Sequence, residues 1–243
     1  RPGFPFSDID YYIPERLERY VIFSDNNPEY SVGEVVLRVN MNFDYEFYEK
    51  IIPITNPDDK LVLCNKYYQL PEDFIPANLK EVPVNYHING ERKYYLDETA
   101  LNAFIEMADA AKAEGIELRI LSAYRSFSYQ QGLYNTYVER DGFEAANRYS
   151  ARAGHSEHQT GLAVDVNLIS QDFENRPEFL WLRDNSYKFG YILRYKEGYE
   201  WETGYMYEPW HYRYVGKEVA KQIFEEDITF DLYYAKYILP FKN

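Results

Sequence analysis

The sequence has one cysteine, Cys64, among 243 residues, so no intramolecular disulfide can brace the fold. Cys64 sits in KLVLCNKYY and reads as a small buried hydrophobe; a catalytic thiol is not expected there. Positive charge is scarce. Twenty-six Lys and Arg face 40 Asp and Glu, a net charge of −14, and no basic stripe is present to neutralise phosphates. That excludes nucleic acid as the main partner. No apolar run reaches the roughly 20 residues of a membrane span, so no transmembrane helix is expected in the chain. A signal peptide is also missing. The chain begins RPGFPFSD without Met, as expected of a trimmed or mature form whose export signal or anchor has been removed. The expected location is extracellular or at the cell envelope, with anchoring through a segment outside this chain.

What is present is a globular composition: 46% hydrophobic and 19% aromatic residues, with 27 tyrosines suited to cores and grooves alike. The length allows one substantial core with an appendage. No internal repeat or low-complexity block is found. After a Pro-rich start, IPERLERYVIFSDNNPEYSVGEVVLRVN reads as two short helices around SDNNPE. A composition shift near residues 56–59 sets the expected boundary: a helical extension over 1–58 and a main domain over 59–243. A short strand is expected over residues 60–64. DETALNAFIEMADAAKAEG is the clearest helix, with Leu101, Phe104, Ile105 and Ala108 on one face, Asp97 as its cap and Gly115 at its end. IELRILSAY, GLAVDVN, YILRY and EPWHYRYVG read as strands. SFSYQQGLYNTYVER, running on into FEAANRYSA, and PEFLWLRDNSYKFG read as helices. Short antiparallel strands mixed with helices and lacking a βαβ beat indicate an α+β fold.

The chemistry concentrates in GHSEHQTGLAVDVN. His158 precedes a strand-like run that ends in Asp165, and a carboxylate closing an apolar run needs a partner. Gly161, Ala163 and Asp165 share one strand face, and their small neighbours leave room beside the carboxylate. His211, in EPWHYRYV, can supply a third ligand from a neighbouring strand, which makes a three-donor set with an open position. Glu208 precedes it by three residues, and Pro209 breaks the register so that the two side chains can converge. His87 and His155 read as structural or surface residues. A His and an Asp seven residues apart carry little weight alone; the weight comes from the whole set.

Ser156-x-His158-x-x-Gly161-x-Ala163-x-Asp165, followed by Glu208-x-x-His211, resembles the signature of the zinc D-Ala-D-Ala carboxypeptidases, in the VanY-like branch of peptidase family M15B. SAYRSFSYQQGLY resembles that family's arginine segment, with Arg125 and Gln131 at matching places, and LVLCNKYYQLPEDFIP resembles the start of its catalytic domain. The resemblance covers about residues 60–220. The wider group includes L,D-carboxypeptidases, phage endolysin peptidases, lysostaphin and the Hedgehog signalling domain.

The resemblance implies a small antiparallel sheet carrying one zinc, flanked by helices. It implies His158, Asp165 and His211 as ligands, Glu208 as general base, Arg125 as the oxyanion-stabilising cation, and Ser156 and Gln131 as substrate-binding residues. The implied partner is the peptidoglycan stem peptide, cut by D,D-carboxypeptidase action that removes the terminal D-Ala. L,D-cleavage of tetrapeptides, endopeptidase cleavage and a non-catalytic zinc-containing binding module stand as alternatives. Oligomeric state and the role of residues 1–58 are not readable from the sequence.

Overall fold

The computed structural model describes residues 6–242. In chain order come α1 (Leu17–Asn26), α2 (Val32–Asn40), β1 (Ile52–Pro53), β2 (Tyr68–Gln69), β3 (Leu79–Glu81) and β4 (Tyr95–Asp97). Then follow α3 (Glu98–Ala113), β5 (Ile120–Ser122), α4 (Phe127–Asp141), α5 (Phe143–Tyr149) and β6 (Ala163–Val166). The remainder is α6 (Pro177–Asn185), β7 (Tyr191–Leu193), α7 (Glu200–Thr203), β8 (His211–Tyr214), α8 (Lys217–Glu226) and α9 (Phe230–Tyr233). No helix of the described residues is long and apolar enough to cross a membrane.

The chain divides into two compact units, one up to Lys50 together with residues from Ile228 on, the other Ile51–Asp227. This differs from the sequence expectation of 1–58 and 59–243. In the smaller unit the Asn40 carboxamide donates to the carbonyls of Tyr11 (2.8 Å) and Ala235 (3.3 Å), which ties the C-terminal segment to α2. Tyr20, Val35, Val36 and Val39 form its core with Phe6. Ser31 and Glu34 make a reciprocal capping box at the start of α2. At the other end Arg16 and Arg19 donate to the Val39 carbonyl, satisfying an acceptor that the helix leaves open.

In the larger unit a four-stranded antiparallel sheet has the order β5-β6-β8-β7. Val164 and Val166 of β6 and Tyr212 of β8 join the core with Phe104, Met107, Ala108 and Ala111 of α3. The Tyr191 hydroxyl donates to the Ala100 carbonyl at 2.7 Å, fixing β7 to α3. Alternation along the strands turns Ala163, Asp165, His211 and Arg213 to the opposite face. The register pairs Asp165 with His211 and Ala163 with Arg213. A one-residue slip of either strand would send its own pair, Ala163 and Asp165 or His211 and Arg213, into the apolar core, so burial of the other face fixes the pairing.

The small antiparallel sheet flanked by helices agrees with the α+β expectation. Three local expectations differ. Residues 60–64 form no strand; Arg213 Nη2 donates to the carbonyls of Lys60 (3.0 Å) and Val62 (2.9 Å), so a side chain takes the place of a strand partner. The expected long helix through residue 149 is broken at Gly142, whose φ of 84° lies in the left-handed region. The strand expected from Ile116 begins only at Ile120, because Gly115 and the Ile116 amide close α3 onto Lys112 and Ala111.

Candidate metal centre and active-site cleft

Each candidate ligand is placed by a different local device. His158 lies on a 3-10 turn, Glu157–Thr160, which Ser156 caps through a 3.3 Å bond from the His158 amide. Two glycines bound this segment. A Cβ at Gly154 would lie 2.8 Å from Gln69 Cγ, and one at Gly161 2.9 Å from Leu79 Cδ2 and 3.1 Å from the Asp97 amide nitrogen. Both also have positive φ, so only glycine fits without strain. Asp165 and His211 face each other across the β6–β8 pair. Ahead of β8, the His211 amide donates to the Glu208 carbonyl at 3.1 Å around Pro209 and Trp210. That turn brings Glu208 Oε2 to 3.5 Å from His211 Nδ1.

The two imidazoles present defined edges. His158 Nδ1 is 2.7 Å from the Ala123 carbonyl, which only accepts, so Nδ1 carries the proton and Nε2 bears the lone pair. His211 Nε2 lies 3.4 Å from Glu157 Oε2, leaving Nδ1 inward. His158 Nε2 and His211 Nδ1 each stand 3.3 Å from Asp165 Oδ1. His158 Nε2 and Asp165 Oδ1 are buried and have no hydrogen-bond partner. Lone pairs facing one another in a buried site call for a cation between them. Zinc with bonds of about 2.0–2.1 Å has a tetrahedral ligand–ligand edge of about 3.3 Å, so the spacing fits. The three residues are grouped closely enough to hold one ion.

The surrounding charges favour this. Burial, with Arg125 nearby, lowers His158 to about 4, keeping its imidazole neutral. Burial also works against a charged His211, yet Asp165 and Glu157 overcome it and raise His211 to about 9. The field at that position therefore favours positive charge. Burial would raise Asp165, but the histidines hold it well below the ordinary carboxylate range. Glu208 behaves oppositely. Burial pushes it up to about 8; Asp165 and Glu157 add to the rise while His211 and Arg125 oppose it.

Behind His211 lies a second layer. Glu157 Oε1 accepts from Arg194 Nε at 2.7 Å and Arg213 Nη1 at 3.0 Å, and all three side chains are fully buried. Burial would raise Glu157, but the two guanidiniums hold it well below the usual range. This carboxylate fixes the orientation of His211, as the partners of metal-binding histidines do. Sequence reasoning missed Glu157. The available signal was an acidic residue between Ser156 and His158 together with an arginine in each of two otherwise apolar-aromatic strands.

The centre opens into a cleft of about 790 Å³ lined by Arg125, Ser156, Glu208 and Trp210, with Tyr129 and Tyr137 of α4 further along it. Arg125 Nη2 is 3.6 Å from Asp165 Oδ2, and its buried Nε has no hydrogen-bond partner. Its Nη1 donates to Gln130 Oε1 at 2.8 Å, and Gln130 Nε2 donates to the Ala151 carbonyl at 2.8 Å. Gln131, the expected substrate contact, is exposed and does not line the cleft; Gln130 holds that place instead. The α4 cap at Ser126 sets which of the two glutamines turns inward. His155 is buried with Nδ1 2.7 Å from the Asn65 carbonyl, and His87 is buried against Tyr94, so both are structural rather than surface residues. Cys64 is buried, its thiol donating to the Gly154 carbonyl.

A family model described as VanY, D-alanyl-D-alanine carboxypeptidase, matches residues 93–217. The chain is 41% identical over 190 residues to the YodJ protein of Bacillus subtilis, covering 75% of this chain and 70% of that one. It is 32% identical over 182 residues to a D-alanyl-D-alanine carboxypeptidase of Enterococcus faecalis, covering 71% of this chain and 65% of the relative. Among solved structures, the LdcB LD-carboxypeptidase matches with a TM-score of 0.73 and 39% identity, over 76% of this chain and 90% of that one. The vancomycin-resistance D,D-pentapeptidase VanY, solved with Zn(II), matches with a TM-score of 0.60 and 31% identity, over 72% and 98%. With these matches and a donor set that fits the metal, the chain belongs to the VanY family of D-alanyl-D-alanine carboxypeptidases, which are zinc-dependent hydrolases.

Proposed function

We propose that the protein removes the C-terminal D-Ala from peptidoglycan stem peptides, with His158, Asp165 and His211 holding the zinc. The observation that carries this reading is the convergence of three inward-facing donor atoms with Glu208 at 3.5 Å, on the wall of an open cleft. Zinc bound there supplies a Lewis acid and brings the pKa of a ligated water to about 7. Glu208 takes a proton from the attacking water and returns it to the leaving amine. The unpartnered Nε of Arg125 is a donor for the oxygen on which charge develops. Gln130 acts through Arg125 by holding its guanidinium, and the Ser156 hydroxyl binds the substrate's chain end.

D,D-cleavage of pentapeptides is the reading that follows from the VanY signature. A second reading, L,D-cleavage of tetrapeptides, is favoured by the higher identity to LdcB, 39% against 31% for the D,D-pentapeptidase. The DacB L,D-carboxypeptidase of Streptococcus pneumoniae, at 38% identity, weighs the same way. A substrate in the wall places the enzyme at the cell envelope. The test is incubation of the zinc-loaded protein with penta- and tetrapeptide stems, free or amidated at the C-terminus, followed by mass analysis. Loss of one alanine from the pentapeptide alone supports D,D-cleavage, and from the tetrapeptide alone L,D-cleavage. Equal cleavage of free and C-terminally amidated peptides would replace both with an endopeptidase.

A further inference from the structure

Three arginines line the cleft: Arg92, Arg125 and Arg140. Two are already engaged. Arg125 is shared between Asp165 and Gln130, and Arg140 donates to both oxygens of Asp141 and to the Tyr149 hydroxyl. Arg92 has no carboxylate partner among the described residues, although acidic residues outnumber basic ones 40 to 26 and the adjacent Lys93 pairs with Glu81 at 2.9 Å. Its guanidinium lies instead over two rings, 5.2 Å from the centroid of Tyr94 and 6.0 Å from that of Tyr129. Tyr94 is buried, so the stack has a fixed base, and Tyr129 is in the first turn of α4, four residues after Arg125. Stacking uses the face of the guanidinium and leaves its in-plane N–H groups free, in the fork geometry that matches a carboxylate.

We infer that Arg92, braced between Tyr94 and Tyr129, is a specificity residue that binds a free carboxylate of the stem peptide upstream of the scissile bond. The inference rests on the carboxypeptidase reading and adds a subsite to it. The cleft's remaining charges support this. Asp165 faces the metal position, and Glu157 is neutralised by Arg194 and Arg213, so away from the centre Arg92 is the cation left for an anionic substrate group. Such a contact is made before and during reaction alike, so it acts on KM rather than kcat.

The experiment compares two stem peptides of one length, with the upstream carboxylate free or amidated and the C-terminal carboxylate free in both. For the wild type, amidation is expected to raise KM about tenfold with kcat unchanged, the scale of one charge-assisted contact. Arg92→Gln should show the raised KM on both peptides, and Arg92→Lys should recover part of the difference. A wild type that treats the two peptides alike overturns the inference, as does an Arg92→Gln variant that still tells them apart. So does a variant whose lost contact is with the C-terminal carboxylate, seen as insensitivity to amidation at that end when a third, C-terminally amidated peptide is compared. These failures leave D-Ala release intact, whereas failure of the carboxypeptidase reading would appear as no release from any peptide. The wild-type comparison needs no mutant, so it stands even if a variant folds poorly.

Discussion

The two sides of the metal centre are built differently. Behind His211, each oxygen of Glu157 has a partner, and Arg213 spends its remaining bonds on the backbone carbonyls of Lys60, Val62 and Tyr214. In front, Glu208 Oε2 lies 3.5 Å from His211 Nδ1 with its carboxyl raised to about 8 by burial, and Arg125 keeps an unpartnered Nε. A buried carboxylate paired at both oxygens resists change, because removing either partner strands a charge. An unsatisfied group has bonds to give to a substrate. The Glu157 side positions His211, and the side facing the cleft is where chemistry can occur.

The most damaging way to break this contrast is to remove the ligand that joins the two sides. His211→Ala should reduce zinc from about one per chain to near none and abolish hydrolysis, as expected for loss of one of three protein ligands. Unchanged metal content by elemental analysis would reject His211 as a ligand. On the side facing the cleft, Glu208→Gln should keep its zinc and its peptide affinity while turnover falls about 10²–10⁴-fold. If the wild type binds peptide without hydrolysing it and Glu208→Gln is indistinguishable, the protein is a zinc-dependent binding module. Behind His211, Glu157→Gln should weaken zinc about 10–100-fold in a chelator competition, the scale seen when a ligand's orienting partner is lost. Zinc affinity equal to the wild type would reduce Glu157 to a counter-ion for Arg194 and Arg213.

The same contrast explains what the sequence revealed. His158, Asp165, Glu208 and His211 lie close in sequence to the turn or strand that aims them, so strand alternation could group them, but their roles came from the resemblance of the whole motif set rather than from spacing. The larger helices were legible from their apolar spacing and caps, α3 above all. Gln130 and Gln131 are adjacent on a helix, where one residue is a rotation of about 100°, so the choice between them depended on the cap position. Glu157 was hidden because its arginine partners lie 37 and 56 residues away, and no local pattern connects them. The absent strand at residues 60–64 has the same origin: its carbonyls are taken by Arg213, more than 150 residues on. The C-terminal segment groups with the N-terminal residues, where the Asn40 carboxamide donates to the Ala235 carbonyl across 195 residues, a contact that no local pattern reveals.

The two bonds from Arg213 to Lys60 and Val62 have a consequence for local opening. They couple an irregular segment, itself partly buried through Val62 and Cys64, to a fully buried charge cluster, so the segment cannot lift away without exposing Arg213 and weakening its hold on Glu157. Residues 60–64 and strand β8 should therefore open as one cooperative unit, with amide hydrogens exchanging at matched free energies rather than at the low cost usual for a loop.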